Sequence, residues 1–228
     1  MFNRRTMLMS LMLAPVAARA DGGRTVSGDD FRGGLQQWRM EAIGDARVSA
    51  RDGILDIDAP AGATLWFLPA LVAPVAIRYE VRAVAQGGPH DAVSDVNAFW
   101  MATDPAVPDG SVLGRRRSGA FEDYDRLKTY YVGIGGNRNS TTRMRRYVGR
   151  VGERPLLPDH DRLAKADMLT PNAWFAIRLI ANGHHIAVER DGAPLFEMDD
   201  PAPYRRGHFG LRTTQSHIQV RNLTITHG

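Results

Sequence analysis

An all-β sandwich is the fold class that this 228-residue sequence predicts, and three observations predict it. Beyond the N-terminal stretch, apolar side chains recur with period two in short runs, as they do when successive residues of a strand face opposite ways. Turn dipeptides separate the runs: Asp52-Gly53, Asn182-Gly183, and Asp191-Gly192 between two short alternating segments, a hairpin pattern. No later segment carries an apolar stripe of helical period.

The chain opens on MFNRRTMLMSLMLAPVAARADGG, with Arg4 and Arg5, an apolar run from Met7 to Ala17, and the small-residue site Ala18-Arg19-Ala20 before Asp21. That is the layout of an export signal. The apolar run is shorter than the about 20 residues a bilayer span requires. Residues 1–20 are therefore expected to leave as a signal peptide, by a twin-arginine or a general secretory route. Residues 21–228 are expected to form one periplasmic or secreted domain without stable membrane insertion.

Strands are expected at Arg47 to Ala50, Ile54 to Ala59, Thr64 to Leu68, Val75 to Val84, Val93 to Ala102, Lys128 to Ile134, Thr142 to Val148, Trp174 to Ala181, His185 to Arg190, Pro194 to Met198, Gly207 to Thr213 and His217 to Thr226. Two connections are long for a sandwich, Asp104 to Arg126 and Gly149 to Asn172, and long loops on a rigid sheet often shape a binding site.

With no cysteine, the exported chain must be held by its core alone, and thiolate metal sites and cysteine nucleophiles are excluded. The formal charge of +4 includes the three arginines of the signal, so the domain is close to neutral and a nucleic-acid partner is not indicated. Basic clusters at Arg115 to Arg117 and Arg143 to Arg146 remain able to meet an anionic partner.

Strand parity then places the polar candidates. Tyr131, Gly133 and Gly135 share one face against Val132 and Ile134; Arg143, Arg145 and Tyr147 oppose Met144 and Val148, with Arg146 breaking the alternation. Asp95 and Asn97 oppose Val96, Ala98 and Trp100, and His208 and Arg212 oppose Phe209 and Leu211. Asn137 sits in the turn between two of these strands. If the apolar faces form the core, the other face presents phenols, guanidinium groups and amides together, the equipment of a sugar cleft. An ordinary solvated sheet face has the same pattern.

Adjacent His184 and His185 point to opposite faces and cannot share an ion, and Asp159-His160-Asp161 has no partners at ligand spacing. No cofactor is called for, although loop carboxylates and carbonyls leave room for a structural calcium. No phosphate loop, dinucleotide fingerprint, serine elbow or zincin helix is present.

The tail Trp174-Phe175-Ala176-Ile177-Arg178-Leu179-Ile180, Asp191-Gly192-Ala193-Pro194-Leu195-Phe196 and Gly207-His208-Phe209-Gly210-Leu211, with Asp30-Phe31, Leu35, Trp38 and Glu41 near the start, resembles the concanavalin A-like, laminin G-like jelly rolls of bacterial sugar-active proteins. More narrowly it is similar to the YesU-like proteins and the 3-keto-disaccharide hydrolase group. Tyr131-Val132-Gly133-Ile134-Gly135 also resembles the tyrosine-bearing strand of jelly-roll alginate lyases, whose arginine-rich and Gln-x-His strands have no clear counterpart here.

These resemblances imply a jelly roll acting on an oligo- or polysaccharide. Paired carboxylates at the spacing that glycoside hydrolysis uses are absent from every candidate strand. The expected activity is therefore β-elimination on a uronate-containing glycan, with Tyr131 or His208 as base and Tyr147 as proton donor. Arg143 and Arg145 would hold the uronate carboxylate, while Asn97, Asn137 and Arg212 orient it. One alternative is a hydrolase or lyase of modified disaccharides using Asp95; the other is a non-catalytic carbohydrate-binding module.

Overall fold

The structure, a computed structural model, describes residues 24–227; the expected signal peptide lies outside the described residues. The strands in chain order are β1 (Arg24–Asp29), β2 (Trp38–Ala42), β3 (Arg47–Arg51), β4 (Ile54–Phe67), β5 (Leu71–Val72), β6 (Val75–Ala83), β7 (Val96–Thr103), β8 (Lys128–Gly135), β9 (Thr141–Val148), β10 (Asp161–Arg162), β11 (Phe175–Asn182), β12 (His185–Arg190), β13 (Ala193–Asp199) and β14 (Arg206–His227).

Two of them build the sandwich. The first half of β14 pairs with β7 and with the second half of β4, and the second half of β14 pairs with β6 and with the first half of β4. Each of these long strands therefore passes from one sheet into the other. The front sheet runs β10-β9-β8-β7-β14-β4-β2, and the back sheet runs β13-β12-β11-β6-β14 with β4, β3 and β1 beyond. All pairings are antiparallel.

The sequence reading split β4 and β14 into two strands each. Both are continuous, and the register of their pairing shifts between Thr214 and Ser216, where Gln215 takes a left-handed φ of 48°. An extra residue at a strand corner bends the chain without ending the ladder. The Asp52-Gly53 and Asp191-Gly192 turns have positive φ at both residues, as tight two-residue hairpins require.

Alternation decides burial. Leu55 and Ile57 of β4, Ile77 and Val81 of β6, Trp100 of β7, Val132 and Ile134 of β8, Met144 of β9, Leu179 of β11 and Phe209 of β14 meet in one core between the sheets. Arg146 shares the Met144 face at the rim of that core, where its Nε donates to Asp200 at 2.7 Å and its guanidinium stacks on Tyr204 at 4.4 Å. The broken alternation thus reflects a residue at the sandwich edge. Trp174 lies between Arg82 and Arg221, on the outer side of the back sheet.

A second apolar cluster lies on the outer face of the front sheet, where Trp66, Phe99, Tyr131 and Tyr147 are covered by Val112, Tyr124 and Phe121 from the long loop after β7. Two side chains of β2 fix that loop. Arg39 donates to the carbonyl oxygens of Val112, Leu113 and Arg115, and Glu41 accepts from Trp66 Nε1 at 2.9 Å, the Arg117 amide at 3.0 Å and the Tyr124 hydroxyl at 3.1 Å. Arg117, itself paired with Asp104, gives this buried carboxylate a cation at 3.6 Å. The loop fills half of the face and leaves the other half open.

Candidate functional site

The open half is a cleft of about 740 Å3 over β7, β8 and β9, in the size range of small-molecule and oligosaccharide sites. Its floor follows from register: Arg212 of β14 pairs with Asn97 of β7, Asn97 with Gly133 of β8, and Gly133 with Arg143 of β9. Two residues along, Phe99 pairs with Tyr131 and Tyr131 with Arg145. The floor is thus two cross-strand rows of polar and aromatic side chains on the face turned away from the core.

Gly133 is what lets the Tyr131 phenol lie across the floor. A Cβ there would lie 2.6 Å from Tyr131 Oη and 2.9 Å from Asn97 Oδ1, so the phenol folds across a backbone that has no side chain. Tyr131 packs on Phe99, Phe121 and Tyr147 at ring separations of 5.1, 5.6 and 5.6 Å, which fixes its direction. Burial pushes its phenol well above the ordinary value, with Tyr147 and Asp95 adding to the rise and Arg212 and Arg145 opposing it. The phenol therefore keeps its proton at neutral pH.

Asn97 is 3% exposed; its amide donates to Asp95 Oδ1 at 3.3 Å, and its Oδ1 has no hydrogen-bond partner among the described residues. Buried polar oxygens are seldom left unmatched. Asp95 precedes β7 with a left-handed φ of 55°, held by its amide on the Gly135 carbonyl at 3.1 Å and by the Ser94 hydroxyl on its carboxylate.

The far wall carries the arginines. Arg143 is engaged twice by Asp161 of β10, at 2.7 and 3.1 Å, and that contact holds the Asp161 carboxyl below its usual range. Arg154 donates to Asp125 at 2.5 Å and stacks on Phe121 at 4.5 Å. Arg145 donates to the Arg154 carbonyl at 2.7 Å, with no carboxylate bonded to it among the described residues.

The turn between β8 and β9 forms the lip. Asn137, Arg138 and Asn139 all take left-handed φ, from 53° to 59°, which costs ordinary L-residues about 1 kcal/mol or more each and asparagine less. Asn139 holds it by exchanging two hydrogen bonds with the Leu169 backbone, at 2.8 and 2.9 Å. Asn137 and Arg138 are left exposed at the mouth.

Of the residues singled out from sequence, Tyr131, Asp95, Asn97, Asn137, Arg143 and Arg145 line the cleft together. Tyr147 and Arg212 lie beneath it. The Tyr147 hydroxyl is fully buried without a partner among the described residues, and burial raises its pKa. Arg212 is 1% exposed, donates to Thr64 Oγ1 at 2.9 Å and the Gly119 carbonyl at 3.0 Å, and lies over Tyr124 and Phe121.

His208 does not join them. Four residues from Arg212 along β14, about 13 Å at strand rise, it lies under the long loop with Nδ1 on the Phe67 carbonyl at 3.2 Å and Nε2 on Ser111 Oγ at 3.1 Å. Burial lowers its pKa, so it is neutral and enclosed there.

Phe121, Arg138 and Arg154 line the cleft and were not identified from the sequence. Phe121 and Arg154 sit in loops with no period to read. The Asn137-Arg138-Asn139 composition is a turn signal that placed Arg138 near the site without aiming it. Among the described residues no group of three or more His, Asp or Glu side chains is placed to hold a metal ion.

Fold and cleft define a jelly-roll sandwich with a polar groove on one sheet. Residues 57–223 match the family described as a domain of unknown function (DUF6250), and the chain belongs to that family. No curated protein matches the sequence. Among solved structures, the chain is similar to a Bacillus subtilis protein of unknown function with a galectin-like fold, at 15% identity over 90% of this chain and 96% of that one, TM-score 0.66. It is also similar to the carbohydrate-binding module CBM66 from Bacillus subtilis, at 9% identity over 84% and 96%, TM-score 0.56. A third is the endo-β-1,3-glucanase of Pyrococcus furiosus, at 11% identity over 93% and 98%, TM-score 0.57. Identities this low establish the galectin-like fold alone.

Proposed function

We propose that this protein is an exported carbohydrate-active protein whose front-sheet cleft binds an oligo- or polysaccharide of acidic character. The observation that carries the reading is the unmatched polar equipment of one open cleft. Among the described residues Asn97 Oδ1 has no partner, Tyr131 presents its phenol over a bare glycine, and Arg145 offers guanidinium donors with no bonded carboxylate. Sugars supply the complementary hydroxyls and apolar ring faces. The fold shared with a carbohydrate-binding module and a glucanase supports the same class of ligand.

A second reading adds turnover, and the protonated state of Tyr131 favours it. Among the residues lining the cleft, Asp95 is the one carboxylate, which does not supply the two that glycoside hydrolysis uses. β-Elimination needs less. Asp95 takes the proton from the carbon next to the uronate carboxylate, the electron pair forms a carbon–carbon double bond, and the bond to the glycosidic oxygen breaks. Tyr131 returns a proton to that oxygen while Arg145 stabilises the charge developing on the carboxylate. His208, enclosed away from the cleft, has no part in this scheme.

The test is to incubate residues 21–228 with acidic and neutral polysaccharides, following binding, ultraviolet absorbance of unsaturated uronate and reducing-end release. Binding with new absorbance that Tyr131→Phe abolishes supports the lyase. Binding without either product leaves a carbohydrate-binding module. Reducing ends without absorbance contradict elimination, and absence of binding across the panel overturns the saccharide reading itself.

A further inference from the structure

The cleft is polar in a directional sense. At one end stand acceptors: the Asp95 carboxylate and the unmatched, buried Asn97 Oδ1. At the other stands Arg145, which donates to the Arg154 carbonyl and has no bonded carboxylate among the described residues. Two other wall cations are already matched, Arg143 by Asp161 and Arg154 by Asp125, while Arg138 stands exposed at the lip. Between the two ends lies Gly133, covered by the Tyr131 phenol.

Resting on the saccharide reading above, we infer that the unit bound here is a single uronate ring lying over the Tyr131 phenol, its carboxylate toward Arg145 and its ring hydroxyls toward Asn97. A uronic acid carries its carboxylate on one side of the ring and a vicinal diol on the other, so one ring answers both ends. A neutral hexose leaves the cationic end unmatched. A densely sulfated glycan brings several anions to a cleft whose uncommitted guanidinium groups, among the described residues, are Arg145 on the wall and Arg138 at the lip. Arg145 is thus the residue that selects acid over ester, and Asn97 the one that reads the diol.

Calorimetric titration of residues 21–228 with trigalacturonate, its methyl ester, neutral galactotriose and a 6-sulfated galactose oligomer tests this. The expected order is the free acid first, at least about tenfold over ester and neutral sugar, the size of one charge-assisted hydrogen bond, with the sulfated oligomer weaker than the acid. Arg145→Gln should erase the acid-over-ester preference while leaving ester affinity in place. Asn97→Ala should weaken acid and ester alike. Melting temperatures near wild type establish that both variants are folded, and Arg145→Lys, which keeps the charge, should restore part of the preference if Arg145→Gln proves unstable.

Equal binding of acid and ester, or sulfate binding as tightly as carboxylate, overturns this inference and leaves the saccharide reading standing. Binding of none of the four, nor of any glycan in the wider panel, removes both.

Discussion

Replacing His217 with Gln should flatten the alkaline limb of this protein's stability and loosen one wall of the cleft. In β14, His217 bridges two carboxylates, with Nε2 to Asp56 of β4 at 3.0 Å and Nδ1 to Asp91 at 2.8 Å. Asp91 in turn accepts the amides of Gln86 at 2.6 Å and Gly88 at 3.0 Å. His90 of the same loop reaches Asp58 at 2.6 Å, and Ser216 Oγ donates to the Ala92 carbonyl at 2.5 Å. The loop that ends in Asp95 is therefore fastened to the back of the sandwich at several points.

The hydrogen bond to Asp56, with help from Asp91 and against burial, raises His217 to about 9 from its ordinary 6.5. A group whose folded pKa is raised contributes stability that is complete below about 6.5 and lost as pH rises through about 9. Taken in full, the shift is worth about 3 kcal/mol. Asp56 is 30% exposed, and solvent screening reduces the figure to about 1–2 kcal/mol. Burial alone would raise Asp56 and Asp91, but their hydrogen bonds outweigh it and hold both below the usual range, so their share is lost as pH falls below about 4.

The assay is urea unfolding from pH 6 to pH 10 on wild type and His217→Gln. Wild type should lose about 1–2 kcal/mol relative to the variant across the window from about 6.5 to 9.5. Parallel pH profiles for the two proteins would refute the clamp.

Two further perturbations probe the cleft itself. Gly133→Ala puts a methyl group 2.6 Å from the Tyr131 hydroxyl, and that ring, packed on Phe99 and Tyr147, has little room to retreat; a loss of about 1–3 kcal/mol is expected in urea unfolding, with ligand affinity falling as well, whereas unchanged stability would mean the phenol swings aside freely. Tyr147→Phe removes a buried hydroxyl that has no partner, so stability should hold or rise by up to about 1 kcal/mol, and any turnover should survive; loss of activity in a stable variant would give that hydroxyl a part in the chemistry.

Period-two patterning carried the fold because each sheet of this sandwich faces a core on one side, so Val132 and Ile134 could be separated from Tyr131 and Gly133 by parity alone. The same parity aimed Asn97, Arg143 and Arg145 at one face, whereas Asp95, ahead of the strand start at Val96, is turned toward them by its left-handed backbone. Parity could not show what covers that face. Arg212 and His208 share its parity, yet one lies under Phe121 and Tyr124 and the other under Ser111, all supplied by a loop without periodicity. Nor does the sequence reveal that Arg143 is matched by Asp161 and Arg154 by Asp125, since those pairs join residues 18 and 29 positions apart through the sheet edge and loops. Asn97 passed as one amide on a polar strand; its unmatched oxygen exists only in the folded chain.

The most direct test of the cleft is an amide chemical-shift titration of the isotope-labelled domain with a short oligogalacturonate. Saccharide binding in the front-sheet cleft predicts shifts concentrated at Asp95, Asn97, Gly133, Arg145 and the Asn137 turn, with β11 to β13 unmoved. Shifts confined to the back sheet, or none at any glycan in the panel, would contradict it.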